Sequence, residues 1–379
     1  MADEHWSAVY DSARAVRVNA LRPFGFTDRQ ARFLVTVMAH SGSFLERQYC
    51  AFTGIARGQN SRDFVAGLVA RGYATAITHG SVRGGRIYHV HHKPLYEVIG
   101  ESDDRHRKPQ TIGRMVQRLM ILDGVLGERT CWWMGTERDK RSYFAATRQT
   151  GLSAPEYPQI AFGSGAQKTI RYFPDKLPIG VQKRDLGHHV FLYLVTRTLP
   201  IDFRGFLLRH AELFRVLHTW TVRALVPRPF WKAAALYKAA LRDELWTPLE
   251  PHITDRLETY FRERRQEGGR VSDPSDEYLI KAFRRHGTAR FASLYRAWRR
   301  MGDPILRAAR STILRDARER GWGACEIEPL RGQYLQLTGL IDCADRATRG
   351  AKRKSHQVGP PTSHPSLDDV SPPLVAPSR

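Results

Sequence analysis

Thr27-Asp28-Arg29-Gln30-Ala31-Arg32-Phe33-Leu34-Val35-Thr36-Val37-Met38 opens the stretch that decides the N-terminal fold, and its pattern continues to His91. Thr27 followed three residues later by Gln30 has the spacing of a capping box. Phe33, Leu34, Val37 and Met38 recur at helical spacing up to Ser41-Gly42. A second short helix carries Phe44, Leu45, Tyr49 and Phe52 and ends at Gly54. After the polar turn Arg57-Gly58-Gln59-Asn60-Ser61, a third carries Phe64, Val65, Leu68 and Val69 and stops at Arg71-Gly72, a glycine C-cap. The period then changes. Tyr73–Ile77 and Arg86–His91 alternate as strands on either side of Gly80-Ser81-Val82-Arg83-Gly84-Gly85.

Three helices and a hairpin with a Gly- and Arg-bearing tip have the order of a winged helix-turn-helix. In that architecture the third helix enters the major groove and the hairpin tip touches the backbone or the minor groove. This order gives Gln59, Asn60, Ser61 and Arg62 to base edges or phosphates, and Arg83 and Arg86 to phosphates. The same architecture also serves for protein docking, so an interaction scaffold without catalysis is an alternative. His89 and His91 share a strand face, but no nearby carboxylate or cysteine completes a ligand set. No metal and no cofactor is expected.

Composition bounds the rest. The chain has 379 residues, enough for two or three compact units, and its 42% hydrophobic content excludes wholesale disorder. The longest apolar runs, such as Val190–Val195, are far too short to span a bilayer. The opening MADEHW lacks the basic-then-apolar order of a signal peptide, so a cytoplasmic location is expected. Cys50, Cys131, Cys325 and Cys343 are widely spaced and read as reduced thiols. The 60 Lys+Arg outnumber 38 Asp+Glu for a net charge of +22, which points to a polyanionic partner, most simply nucleic acid. Most of that charge is arginine, which a GC-rich gene also supplies without functional cause.

Thr111–Leu126 is strongly amphipathic, through Ile112, Met115, Val116, Leu119, Met120, Leu122 and Val125. Such a helix either forms a homodimer or packs the N-terminal unit onto the next domain. Cys131–Glu137 reads as a buried strand and turn, and Asp139–Ala145 as a short helix. Gln159–Gly163, Thr169–Tyr172 and Val190–Val195 read as strands. Tyr172-Phe173-Pro174-Asp175-Lys176 before Phe191–Val195 resembles PD-(D/E)XK nucleases, where a Pro-Asp and an acidic-x-Lys triplet on the next strand hold a divalent metal. Asp175 supplies the first half. Leu192-Tyr193-Leu194-Val195-Thr196-Arg197 contains no carboxylate, so the expectation is a degenerate nuclease-like domain, with a metal-dependent nuclease using Asp175 as the alternative.

Thr27-Asp28-Arg29-Gln30, Tyr88-His89-Val90 and Phe173-Pro174-Asp175, over about the first 225 residues, are together similar to the replication-relaxation family of plasmids and integrative mobile elements. The resemblance implies double-stranded DNA binding, as a regulator or a replication or transfer accessory of a mobile element.

From Phe203 the pattern is helical. Phe206, Leu207, His210, Leu213, Phe214, Leu217 and Trp220 make one apolar face of a helix running to Ala224. Further helices are expected over 231–246, 248–265, 276–300 and 304–320. Between Lys281 and Arg318, 11 Lys/Arg face two Asp and no Glu. Phe283, Phe291, Leu294, Tyr295 and Trp298 recur at the spacing of a buried stripe, which outweighs a role as stacking platforms. The Pro- and Ser-rich tail cannot offset its ordering entropy. The expected architecture is α+β, predominantly α: an N-terminal extension (1–25), a winged helix-turn-helix (26–108), a connecting helix with a mixed α/β domain (109–226), a basic helical region (227–343) and a disordered tail (344–379).

Overall fold

A computed structural model of the chain describes residues 2–77, 86–146, 157–163, 169–267, 274–310 and 323–330. The hairpin tip with Arg83, most of the expected 304–320 helix and the tail lie outside these residues. The fold is α+β with helix predominating.

Helix α1 (Ala2–Ala20) leads into α2 (Asp28–His40), β1 (Ser43–Leu45), α3 (Glu46–Thr53), α4 (Gln59–Ala70), β2 (Ala74–Ile77) and β3 (Ile87–Val90). Thr27 caps α2 as its spacing predicts. Its hydroxyl accepts from the Gln30 N–H at 3.4 Å, and the Gln30 Oε1 accepts from the Thr27 N–H at 3.0 Å. Phe33 sits fully buried among Phe44, Tyr49 and Phe64, which locks the three helices to one another. The antiparallel sheet has the order β1-β3-β2. The sequence pattern assigns β1 to the second helix. Instead Ser43-Phe44-Leu45 pairs with β3, and the Gln48 side chain accepts from the Leu45 N–H at 2.9 Å to start α3. The stretch 93–110 contains helix α5 (Lys93–Val98) and a short 3-10 turn over Arg105–Arg107.

Next come α6 (Ile112–Gly127), β4 (Cys131–Met134), α7 (Glu137–Ala146), β5 (Gln159–Phe162), β6 (Thr169–Tyr172), β7 (Ile179–Gln182), β8 (His188–Leu194), α8 (Ile201–Arg209), α9 (Ala211–Val216) and β9 (Thr219–Val226). Strands β5 and β6 form a separate hairpin. The central sheet has the order β10-β9-β8-β7-β4, with β10 (Gly323–Pro329) parallel to β9 and β9 parallel to β8. The single helix expected from Phe203 to Ala224 is two short helices and a strand. Trp220, Val222 and Ala224 lie in the core on one face of β9 and Leu225 on the other, and the β-branched residues of Thr219-Trp220-Thr221-Val222 suit a strand buried on both sides.

Of the two roles expected for this helix, a homodimer or packing onto the next domain, α6 takes the second, and its apolar face is covered within the chain. Met115, Val116, Leu119, Met120, Ile121 and Val125 are buried against Val190, Leu192 and Leu194 of β8, while Leu122 belongs to the N-terminal core. Phe191, Tyr193 and Val195 point to the opposite side, where α8 and the C-terminal helices pack. Those helices are α10 (Ala234–Leu241), α11 (Pro251–Gln266), α12 (Glu277–His286), α13 (Thr288–Met301) and α14 (Pro304–Ala309). The helix expected over 276–300 breaks at Gly287, whose φ is +83°. The basic region expected to be helical (227–343) also returns a strand, β10, to the central sheet.

Gly42 adopts a φ of +67°, and a Cβ placed there would lie 2.5 Å from the His106 carbonyl oxygen. Gly54 has a φ of +71° with open space around it. Gly54→Ala should therefore cost only the left-handed penalty of about 1–2 kcal/mol. Gly42→Ala should cost about 2–5 kcal/mol, since a backbone contact must also yield. Urea unfolding of the two variants measures the difference.

Candidate functional site

Two surfaces collect the residues singled out by sequence. The first is the start of α4. Gln59, Asn60 and Arg62 are exposed, while Phe64, Val65 and Leu68 hold the opposite face in the core. The Arg62 side chain has no hydrogen-bond or ion-pair partner among the described residues. Gln59 donates to Asp63 Oδ1 at 2.6 Å. Ser61 does not fit the role assigned to it. It is fully buried, its hydroxyl donating to Glu46 Oε1 at 2.7 Å and accepting from the Gly58 N–H at 3.1 Å. Ser61 therefore fixes the α3–α4 turn, with Glu46 also paired to Arg57 at 2.8 Å. Arg86 is exposed immediately before β3.

The second surface is a cleft of about 1110 Å³ between the Gly100–Gln110 segment, α6, the β5–β6 hairpin, α8 and α13. Ten Lys/Arg line it against six Asp/Glu. Asp175 lies inside it, in the turn between β6 and β7. Phe173 and Lys176, flanking Pro174-Asp175, have φ of +46° and +55°. Left-handed backbone at two non-glycine residues costs about 1–2 kcal/mol each and persists only where surrounding contacts impose it. Those contacts are visible. The Phe173 ring is buried against Phe144 and Tyr157, and its N–H donates to the Pro158 carbonyl at 2.6 Å. Lys140 donates to the Leu177 carbonyl at 2.6 Å, Arg118 donates to the Lys176 carbonyl at 3.2 Å, and Lys176 Nζ reaches Asp104 at 2.8 Å.

Asp175 faces cations. Its Oδ1 accepts from the Leu177 N–H at 3.1 Å, and its Oδ2 is 3.7 Å from both Arg209 Nη1 and His210 Nε2. That Oδ2 is buried and has no hydrogen-bond partner, like the neighbouring Arg209 Nε. Burial would raise the Asp175 carboxyl, but His210, Arg209 and Lys140 together with the Leu177 N–H hold it below its ordinary value. Burial pushes His210 down to about 4, so at neutral pH its ring is uncharged and Arg209 and Lys140 carry the balancing charge. Burial likewise lowers Lys140 to about 8, and Arg118 to about 10 with help from Arg114.

This arrangement does not supply a divalent metal site. Two or more carboxylates normally share a hard cation with water, whereas Asp175 is met by arginine, lysine and histidine. Asp202 lines the same cleft but pairs with Arg197 at 3.3 Å, and Asp185 accepts from the Gly187 N–H in its own turn. Among the described residues no group of three or more His, Cys, Asp or Glu could hold a metal ion. Sequence points to Asp175 alone. Lys140, Arg209 and His210 reach it from elements more than thirty residues away in either direction, and no short-range spacing joins them.

Compared with models of protein families, with curated proteins and with solved structures, the chain matches none. No described helix is long and apolar enough to cross a membrane.

Asp175→Asn should destabilise the metal-free protein by about 3–5 kcal/mol in urea unfolding, because it strips the buried cations of their counter-charge. A carboxylate kept for metal would leave metal-free stability unchanged or higher. Acid should also unfold the chain through its buried neutral histidines. His210 and His189 are lowered to about 4 and His40 to about 3, all by burial. Between their unfolded value near 6.5 and these folded values the unfolded chain binds more protons, so stability falls as pH drops through that window. Each contributes a slope of roughly 1.4 kcal/mol per pH unit. His210→Gln should remove one such slope, measured as urea midpoints from pH 7 to 4.

Proposed function

We propose that the chain is a double-stranded DNA-binding protein whose α2–β1–α3–α4–β2–β3 unit is a winged helix-turn-helix with α4 as its recognition helix. The observation that carries this reading is the first turn of α4: Asn60 and Arg62, the latter without a side-chain partner among the described residues, stand exposed on a helix whose underside is anchored in the core. Asparagine can pair bidentately with adenine and arginine with guanine, and arginine also neutralises phosphate. Arg86 lies at the base of the β2–β3 hairpin, where a wing would meet the backbone. The net charge of +22 supplies a sequence-independent attraction.

The role as a regulator or a replication or transfer accessory of a mobile element rests on the resemblance to the replication-relaxation family. The placement of Asp175 before β7, with a carboxylate-free β8 as the next strand, is compatible with a nuclease-like domain that has lost metal chemistry.

Fluorescence anisotropy of a labelled duplex, titrated from low to high salt without metal, tests the assignment. Tight binding with a steep salt slope is expected. Arg86→Ala should reduce that slope by about 0.9, the value for one phosphate contact. Arg62→Ala should weaken binding at least tenfold, and Asn60→Ala should narrow the gap between preferred and random sequence by about 1–3 kcal/mol. Absence of duplex binding at low salt overturns the reading and favours the interaction scaffold.

A further inference from the structure

We propose that the cleft beside Asp175 holds a single strand of nucleic acid, with bases stacked on Phe162 and phosphates on Arg171, Arg296 and Arg300. Three observations converge on this ligand. The Phe162 ring at the end of β5 is 49% exposed, although it lines a cleft where large apolar side chains are usually covered. Arg171 of the paired strand β6 lies over that ring, 5.8 Å from its centroid. An aromatic face beside a guanidinium is the combination on which unpaired bases stack, whereas a duplex keeps its base faces inside.

The second observation is on α13, which packs beside β5. Arg296 and Arg300 are four residues apart on α13, hence neighbours on one helix face about 6 Å apart. Both are exposed, both line the cleft, and neither side chain has a hydrogen-bond or ion-pair partner among the described residues. This separates them from Arg290 on the same helix, which is buried with Glu244. The cations of the Asp175 cluster are already occupied in holding the strained turn; Arg296 and Arg300 have no such partner among the described residues.

Size is the third. At about 1110 Å³ the cleft exceeds the 300–1,000 Å³ of small-molecule pockets, and ten basic side chains line it against six acidic ones. A single nucleoside phosphate or inorganic phosphate would engage only part of that lining. An extended polyanion with stacking faces uses all of it.

The test uses the full chain and two probes, an end-labelled oligothymidylate and a duplex of mixed sequence, each followed by anisotropy across a salt series. Wild-type protein should bind oligothymidylate with a salt-dependent affinity. Phe162→Ala should weaken that binding about tenfold, within the range for loss of one stacked base. The double variant R296A/R300A should lower the salt slope by about 1.4, two contacts at the single-strand value of about 0.7 each. None of these exposed substitutions should change duplex affinity by more than twofold, and thermal melting should match wild type. Arg62→Ala should do the reverse, weakening duplex and sparing oligothymidylate.

Oligothymidylate binding that is absent, or unchanged in both cleft variants, overturns the proposal. So does an equal loss for both probes, which would reduce the cleft to general attraction. Displacement of oligothymidylate by polyglutamate at the same charge concentration would also overturn it, in favour of an acidic protein ligand. Loss of duplex binding alone, with the cleft-dependent oligothymidylate binding intact, overturns only the winged-helix reading.

Discussion

The fold depends on the burial of one helix from two sides. Residues 112–127 carry apolar side chains around most of the circumference of α6, so no single partner can cover it. The N-terminal unit takes one side through Leu122 and the central sheet takes the other through Val190, Leu192, Leu194 and Leu225. Polar contacts then fix the registration. Arg47 makes a bidentate pair with Asp123 at 3.1 and 2.7 Å, and Gln48 donates to the Leu119 carbonyl at 2.9 Å. Gly124 leaves no side chain between α6 and β9, where an added Cβ would lie 2.6 Å from the Leu225 side chain. Close approach of the helix to the strands is what puts Arg118, on its cleft-facing side, within reach of the turn that carries Asp175.

That turn is held against two unfavourable terms, left-handed backbone at Phe173 and Lys176 and a buried carboxylate. Neither would survive alone. Aromatic packing immobilises Phe173, while donors from α6 and α7 take the carbonyls of Lys176 and Leu177. The positive groups on α7 and α8 then make the buried charge tolerable. Because the compensating groups come from α6, α7 and α8, the turn takes this form only with all three docked around it.

Much of the N-terminal unit is legible in the sequence because its signals are local. A capping box, glycine stops and a change of period from 3.6 to 2 lie within neighbouring residues, and α2, α4 and β3 obey them. Strand β1 escapes such a reading because three residues between helices carry no period at all. Strand β9 reads as helix because Leu213, Phe214, Leu217 and Trp220 continue an apolar face by coincidence, and only its position between β8 and β10 decides the matter. Ser61 misleads for a related reason. A polar residue in a helix-start turn fits a nucleic-acid contact and a helix cap equally well, and burial of Glu46 beside it resolves the choice. The positive φ at Phe173 and Lys176 has no signal, since neither is glycine.

Arginine abundance by itself does not separate function from gene composition, but the partners and settings of individual arginines do. Arg17 is bound bidentately by Asp139, Arg223 bridges Glu128 and Glu326, and Arg204 and Arg290 converge on the buried Glu244. These side chains are part of the architecture, and each is matched by acid. Exposed arginines whose side chains lack a hydrogen-bond or ion-pair partner among the described residues also occur at Arg29, Arg184, Arg228, Arg242, Arg265, Arg284 and Arg307, so lack of a counter-charge does not by itself mark a site. Setting must decide. Arg62 stands at the first turn of α4, and Arg296 and Arg300 line a cleft that also holds a half-exposed aromatic ring. What bears on a polyanionic partner is therefore the setting of these few arginines, rather than the total of sixty basic residues.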